Sequence, residues 1–274
     1  LAATNLLCLF AYNRISRLNL NNMLLIQSLS AWTFMLLGLW WCRKYLVFSI
    51  DKTLIVKLTA FGFPMMLVMV ISTLSPALDR IFLVHHITPE QLGIYSLCQK
   101  IGLIMMVVVA AFQMAFGPFA FSLWEKTNAR QTFASFQSYY IIVAGAIGIV
   151  ICSLGKPLIL LIGTEEYLGS EKYLPFLTLG AIVYGFYSFA SLGIYYSKKM
   201  KFNLLAFVIG ISVNSLFNFI FIPDYKEYGA AAGFLFGNAA LVLSGYFFSG
   251  KFYRIDFSVL KDGCKMLLLS CGIF

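Results

Sequence analysis

The chain has 274 residues, of which 61 % are hydrophobic and only 11 % charged, and its mean hydropathy is +0.86. Soluble domains carry roughly 25 % charged residues, so this composition excludes a water-soluble fold and points to an integral membrane protein. The net charge of +9 then bears on how loops are disposed about a bilayer, and no nucleic acid is expected as a partner.

Seven stretches lack Asp, Glu, Lys and Arg for longer than the roughly 20 residues a helix needs to cross a membrane. They are 18–42, 58–78, 101–123, 131–155, 173–197, 202–223 and 228–250. Runs this long and unbroken suit helices, since a transmembrane barrel needs short alternating strands. The expected fold is an all-α, polytopic membrane bundle of about seven complete spans. Both ends read as cuts in a longer transporter-like chain: 1–13 is an apolar run without an initiator Met, and 266–274 begins another that stops too soon to span.

Residues 1–42 read as the end of a first helical lobe, with Trp40 and Trp41 at the interface. The stretch RKYLVFSIDKTLIVK, 43–57, is basic and amphipathic, as expected of a linker lying on the cytoplasmic membrane surface. A second lobe follows over 58–250, and 251–274 is a loop with the start of a further helix.

The hairpin from Leu58 to Trp124 places Asp79, Arg80 and Lys100 within hydrophobic reach. A charge inside a span costs roughly 2.5 to 3.5 kcal/mol and usually faces a partner or a watery cavity. At about 1.5 Å per residue, Asp79 and Arg80 lie roughly 7 to 9 Å below the loop near His85, and Lys100 roughly 13 Å beyond Gln91. One acid can neutralise one base across the hairpin, leaving the other base for an anion. The plainer alternative is snorkelling and structural ion pairing. Pro64, Pro76 and Pro118 predict bends, beside a cavity or as static kinks. His85 and His86 read as solvated loop residues.

Ala144, Gly145 and Gly148 permit close helix approach. Glu165, Glu166 and Glu171 stand apart in an external loop, 156–172, and read as solvated; no catalytic carboxylate pair is expected, and no enzyme. Tyr184, Phe186, Tyr187 and Phe189 read as core or lipid-facing, with a sugar-contacting lumen as the alternative. Asn214 and Asn218 recur at i and i+4 on an apolar helix, where amides join helices or line a cavity, and Gly229, Gly233 and Gly237 form a small-residue seam. The cysteines Cys8, Cys42, Cys98, Cys152, Cys264 and Cys271 have neither metal-ligand nor disulfide spacing and read as small hydrophobes. No metal or cofactor is expected.

Taking loops alternately, thirteen bases fall on one side, among them Arg43, Lys44, Lys52, Lys57, Lys198 and Lys251, against five on the other, Arg14, Arg17, Lys156, Lys172 and Lys226. The richer side is expected in the cytoplasm.

Three stretches in order, FGFPMMLVMVISTLSPALDRIFLVHHITPEQLGIYSLCQKIG, GKPLILLIGTEEYLGSEKYLPFLTLG and NSLFNFIFIPDYKEYGAAAG, together resemble the bacterial polysaccharide flippases. These are the O-antigen (Wzx) type within the multidrug, oligosaccharidyl-lipid and polysaccharide exporter superfamily. The resemblance implies two helical lobes about a central cavity, of which this chain holds the second and the end of the first. It also implies alternating-access transport of a lipid pyrophosphate bearing an oligosaccharide across the bacterial inner membrane, for O-antigen or capsule. Arg80 and Lys100 would bind the anionic pyrophosphate, and Asp79 would tune Arg80 or take part in ion coupling. Membrane lipids and the polysaccharide polymerase machinery are further expected partners. The alternative within the superfamily is a cation-coupled multidrug antiporter, for which a cavity rich in acids is expected; this half has one intramembrane acid against two bases.

Overall fold

The computed structural model describes residues 20–44, 51–123 and 129–252. The readings of 1–13, of 266–274, of most of 251–274, of the middle of the 43–57 linker and of the exit at Trp124 lie outside the described residues. Every described element is helical. In chain order these are α1 (Leu20–Cys42), α2 (Lys52–Val84), α3 (Pro89–Leu123), α4 (Ala129–Ser153) and α5 (Gly155–Ile162), then the 3-10 turns Glu165–Tyr167 and Ser170–Tyr173. They continue with α6 (Leu174–Gly185), α7 (Tyr187–Ala190), α8 (Leu192–Tyr196), α9 (Met200–Tyr225) and α10 (Glu227–Ser249). Among the described residues, six helical segments are long and apolar enough to cross a membrane: α2, α3, most of α4, the run 165–196, α9 and α10. The protein is a multi-pass α-helical membrane protein.

The chain divides between Ile55 and Val56 into two units. The first contains α1, whose described side chains are almost all exposed, Trp40 and Trp41 included. The second is a helical bundle. At 33 residues α2 is about 50 Å long, against roughly 30 Å of hydrocarbon. It begins at Lys52, six residues before the charge-free run, so its first turns, with Lys52 and Lys57, extend the helix toward the headgroups.

The bundle is built around α3, α4, α6, α9 and α10. A larger core gathers Tyr95, Ile101, Met105, Phe116, Phe133, Leu174 and Leu177, and a smaller one gathers Val68, Tyr187, Ile194, Phe207, Leu241 and Phe248. Helix α2 reaches this bundle sparingly, with Pro64, Val68, Asp79 and Leu83 as its buried residues. Pro76 cannot donate to the Ser72 carbonyl, and Ser72 Oγ and Thr73 Oγ1 both donate back to the Met69 carbonyl at 2.9 Å. Such back-bonding next to a proline bends a helix.

Two expectations change. The apolar run 173–197 is three short helices, with breaks at Phe186 and Ser191. At the first break the Phe186 amide turns to the Val183 carbonyl at 3.0 Å, and the Tyr140 hydroxyl of α4 donates to the released Ile182 carbonyl at 2.9 Å. At the second, the Gly193 amide donates to Ser249 Oγ of α10 at 2.9 Å. Neighbouring side chains thus satisfy backbone groups that lipid could not. The loop 156–172 keeps Glu165 and Glu166 exposed as expected but is folded: α5 runs to Ile162, Ser170 is fully buried with its hydroxyl donating to the Tyr167 carbonyl, and the Gly169 amide donates to Glu171 Oε2 at 2.6 Å. Glu171 also faces the exposed Lys156 at 3.9 Å, an arrangement worth little energy at a surface.

Candidate functional site

The interface between α9 and α10 is set by glycine. A methyl group added at Gly237 would lie 2.7 Å from Asn214 Cβ, one at Gly229 would lie 2.7 Å from the Phe221 carbonyl carbon, and one at Gly233 would overlap Asn218 Oδ1. The predicted seam and the predicted amide pair are therefore one structure: the glycines bring α10 against the face of α9 that carries both asparagines. Gly210 extends it: a methyl group added at Gly210 would lie 3.1 Å from the Gly237 carbonyl oxygen, and one at Gly237 would lie 3.0 Å from that of Gly210.

Into this seam α2 turns Asp79, which is completely buried. Asn218 Nδ2 donates to Asp79 Oδ1 at 2.7 Å and to Asn214 Oδ1 at 2.8 Å, which uses both of its N–H groups. Asp79 Oδ2 and Asn218 Oδ1 remain buried without a hydrogen-bond partner. The Tyr95 hydroxyl of α3 is likewise buried and unpartnered, and Asp79, Arg80 and Glu227 lie within its electrostatic reach.

The expected ion pair across the hairpin is absent. Asp79 is held by an amide from α9, while Arg80 and Lys100 are exposed and make no ion pair among the described residues. Helix geometry explains it: consecutive residues point about 100° apart, so turning Asp79 inward sends Arg80 off the bundle. The structure brings Asp79, Asn214, Asn218 and Gly233 together and leaves Arg80 and Lys100 outside that cluster.

A cavity of about 140 Å³ lies beside the cluster, lined by Ser72, Ser75 and Pro76 of α2, Tyr184 of α6, Asn214 of α9 and Asn238 of α10, with apolar side chains between them. Pro76 and the small residues Ser72, Ser75, Gly210 and Gly237 line this space. Asn238 and the two serines were not singled out in the sequence; their signal was weak, being single small polar residues in apolar runs. Of the aromatics proposed for a lumen, Tyr187 and Phe189 are core, with the Tyr187 hydroxyl donating to Asn203 Oδ1, and Tyr184 alone reaches this cavity. No cluster of His, Cys, Asp and Glu among the described residues has metal-binding geometry.

A family profile described as polysaccharide biosynthesis protein matches residues 21–172. That is more than half of the chain, and it contains Asp79, Arg80 and Lys100 but ends before the asparagines of α9. No curated protein and no solved structure matches the chain. With a charge-poor helical bundle and intramembrane bases on the matched helices, the match agrees with the fold, and the chain belongs to the polysaccharide biosynthesis protein family.

Proposed function

We propose that this protein is a transporter of the bacterial cytoplasmic membrane that flips a polyprenyl-pyrophosphate-linked oligosaccharide to the outer face by alternating access. It would serve O-antigen or capsule assembly. The observation that carries the proposal is the pair of exposed bases on consecutive helices, Arg80 and Lys100, which make no ion pair among the described residues, in a chain of the polysaccharide biosynthesis protein family. A pyrophosphate needs fixed positive charge where water is scarce, and Arg supplies it with a two-point hydrogen-bonding fork. Asp79, the one acid expected inside the membrane in this half, is turned away from the exposed side of α2, which argues against an acidic site for a cationic drug. A transporter needs no catalytic carboxylates, in keeping with the scattered placement of Glu165, Glu166 and Glu171.

The test is surface polysaccharide in cells deleted for the parent gene and complemented with full-length wild type or with Arg80→Ala, Lys100→Ala and the double variant, at equal membrane abundance. The double variant is expected to lose surface polymer while lipid-linked units accumulate inside. Export retained by the double variant would remove these bases from the pathway. Normal polymer in the deletion strain itself would reject the flippase reading.

A further inference from the structure

The unusual feature of the Asp79 cluster is what its hydrogen bonds leave over. The one bond between the two side chains, Asn218 Nδ2–H to Asp79 Oδ1, leaves each with a single buried oxygen that accepts nothing. Two such buried acceptors on hydrogen-bonded side chains are costly, because a buried polar atom without a partner forfeits about 1 to 3 kcal/mol. A carboxylate supplies acceptors only, so no rotation of Asp79 in its charged form can satisfy Asn218 Oδ1.

We infer that Asp79 and Asn218 form a binding site for one exchangeable proton, held as a carboxylic acid–amide pair, with the cavity beside Asn214 as its connection to water. The proton adds to Asp79 Oδ2, and the new O–H donates to Asn218 Oδ1 while Asn218 Nδ2–H continues to donate to Asp79 Oδ1. One added hydrogen converts two unsatisfied acceptors into a two-point pair, and no other bond changes. On release the proton passes to water, and the pair returns to its single hydrogen bond. Asn214 links the site to the outside: its Oδ1 accepts from Asn218 and its side chain lines the cavity, whose 140 Å³ has room for several waters near Ser72, Ser75 and Asn238.

The surroundings favour a proton over a metal ion. Hard cations take a shell of about six or more oxygens, and the side chains here offer the two carboxylate oxygens of Asp79, one of them already accepting, Asn218 Oδ1 and the partly used Asn214 Oδ1. Tyr95 of α3 has Asp79, Arg80, Cys98 and Glu227 within its electrostatic reach, and to Asp79 itself α9 contributes the neutral amides of Asn218 and Asn214. Gly233 leaves the space in which Asn218 Oδ1 sits. That this proton couples to transport rests on the flippase reading; that the site takes a proton does not.

The experiment is infrared difference spectroscopy of the purified full-length protein in lipid nanodiscs, titrated from acid to alkaline pH in potassium buffer. Wild type is expected to show a protonated-carboxyl stretch that shifts in D2O and disappears on alkalinisation. The band should be absent from Asp79→Asn, an isosteric amide that can make the same two hydrogen bonds and so retains the fold. It should move to higher frequency in Asn218→Ala, where the acid has lost its acceptor. A spectrum with no carboxyl band that Asp79→Asn removes would overturn the proposal. So would a band that sodium displaces at constant pH, which would make this a metal site. Failure of the flippase reading would appear instead as normal surface polymer in the deletion strain, and would leave the infrared result standing.

Discussion

Asn218 is the residue on which three helices meet. Its side chain holds Asp79 of α2 at 2.7 Å and Asn214 one turn earlier at 2.8 Å, and Gly233 of α10 is its wall. Asn218→Ala removes both donations and leaves the buried Asp79 Oδ1 without a donor, a loss of about 1 to 3 kcal/mol. Asn214→Ala leaves the Asp79 bond in place and should cost less, near the roughly 0.6 kcal/mol average for interhelical polar contacts in membranes. Thermal unfolding of the two variants in detergent orders them, and a larger loss for Asn214→Ala would contradict the role given to Asn218. Both asparagines were legible in the sequence, because amides at i and i+4 in an apolar run must share a face. Their partner was not. Helix α2 is apolar on every side, so no hydrophobic stripe fixes which face turns inward. Asp79 could equally have met Lys100 across the hairpin until the packing of α2 against α9 was known.

Among the elements, the run 165–196 departs furthest from a simple span. Its breaks at Phe186 and Ser191 are each closed by one borrowed side chain, Tyr140 from α4 and Ser249 from α10. The first is tightly fitted, since a methyl group at Gly185 would overlap the Tyr140 hydroxyl. Tyr140→Phe keeps the ring among Phe112, Phe186 and Phe189 and removes only the hydroxyl. It should strand the Ile182 carbonyl at a cost of about 1 to 3 kcal/mol. Hydrogen exchange is expected to speed at the amides of 186–190 while α9 and α10 keep their protection; uniform acceleration across the bundle would show that the hydroxyl serves global stability and not this break. The sequence shows only an unbroken apolar stretch here. Gly185, Ser191 and Gly193 are tolerated in membrane helices, and what breaks the run is the availability of Tyr140 and Ser249, which lie far from it in sequence. The seam of Gly229, Gly233 and Gly237, by contrast, could be read directly, because small residues every four positions leave one groove along one face.

At the level of the whole bundle, charge and span count together predict one orientation. If α2 leaves the cytoplasm, then α3 returns, α4 leaves, the run 165–196 returns, α9 leaves and α10 returns. This places Lys44, Lys52, Lys57, Lys198, Lys199, Lys201 and Lys251 inside, and Lys156, Lys172 and Lys226 outside. Asp79 then sits about 8 Å below the outer end of α2 at Val84. The crossing that departs from a plain helix is the broken run, so the decisive positions flank it. In a cysteine-free full-length background, Lys156→Cys is expected to react with a membrane-impermeant maleimide on intact spheroplasts. Lys198→Cys should react only after permeabilisation. The reverse pattern would invert the bundle and put the Asp79 end at the cytoplasm. Labelling of both positions from the same side would mean that the broken run enters and leaves by one face; α9 and α10 would then turn over while α2 did not, and Asp79 could not reach Asn218. Because the 2.7 Å contact between them requires residues near the outer ends of α2 and α9 to share a depth, labelling from opposite sides also tests the cluster itself.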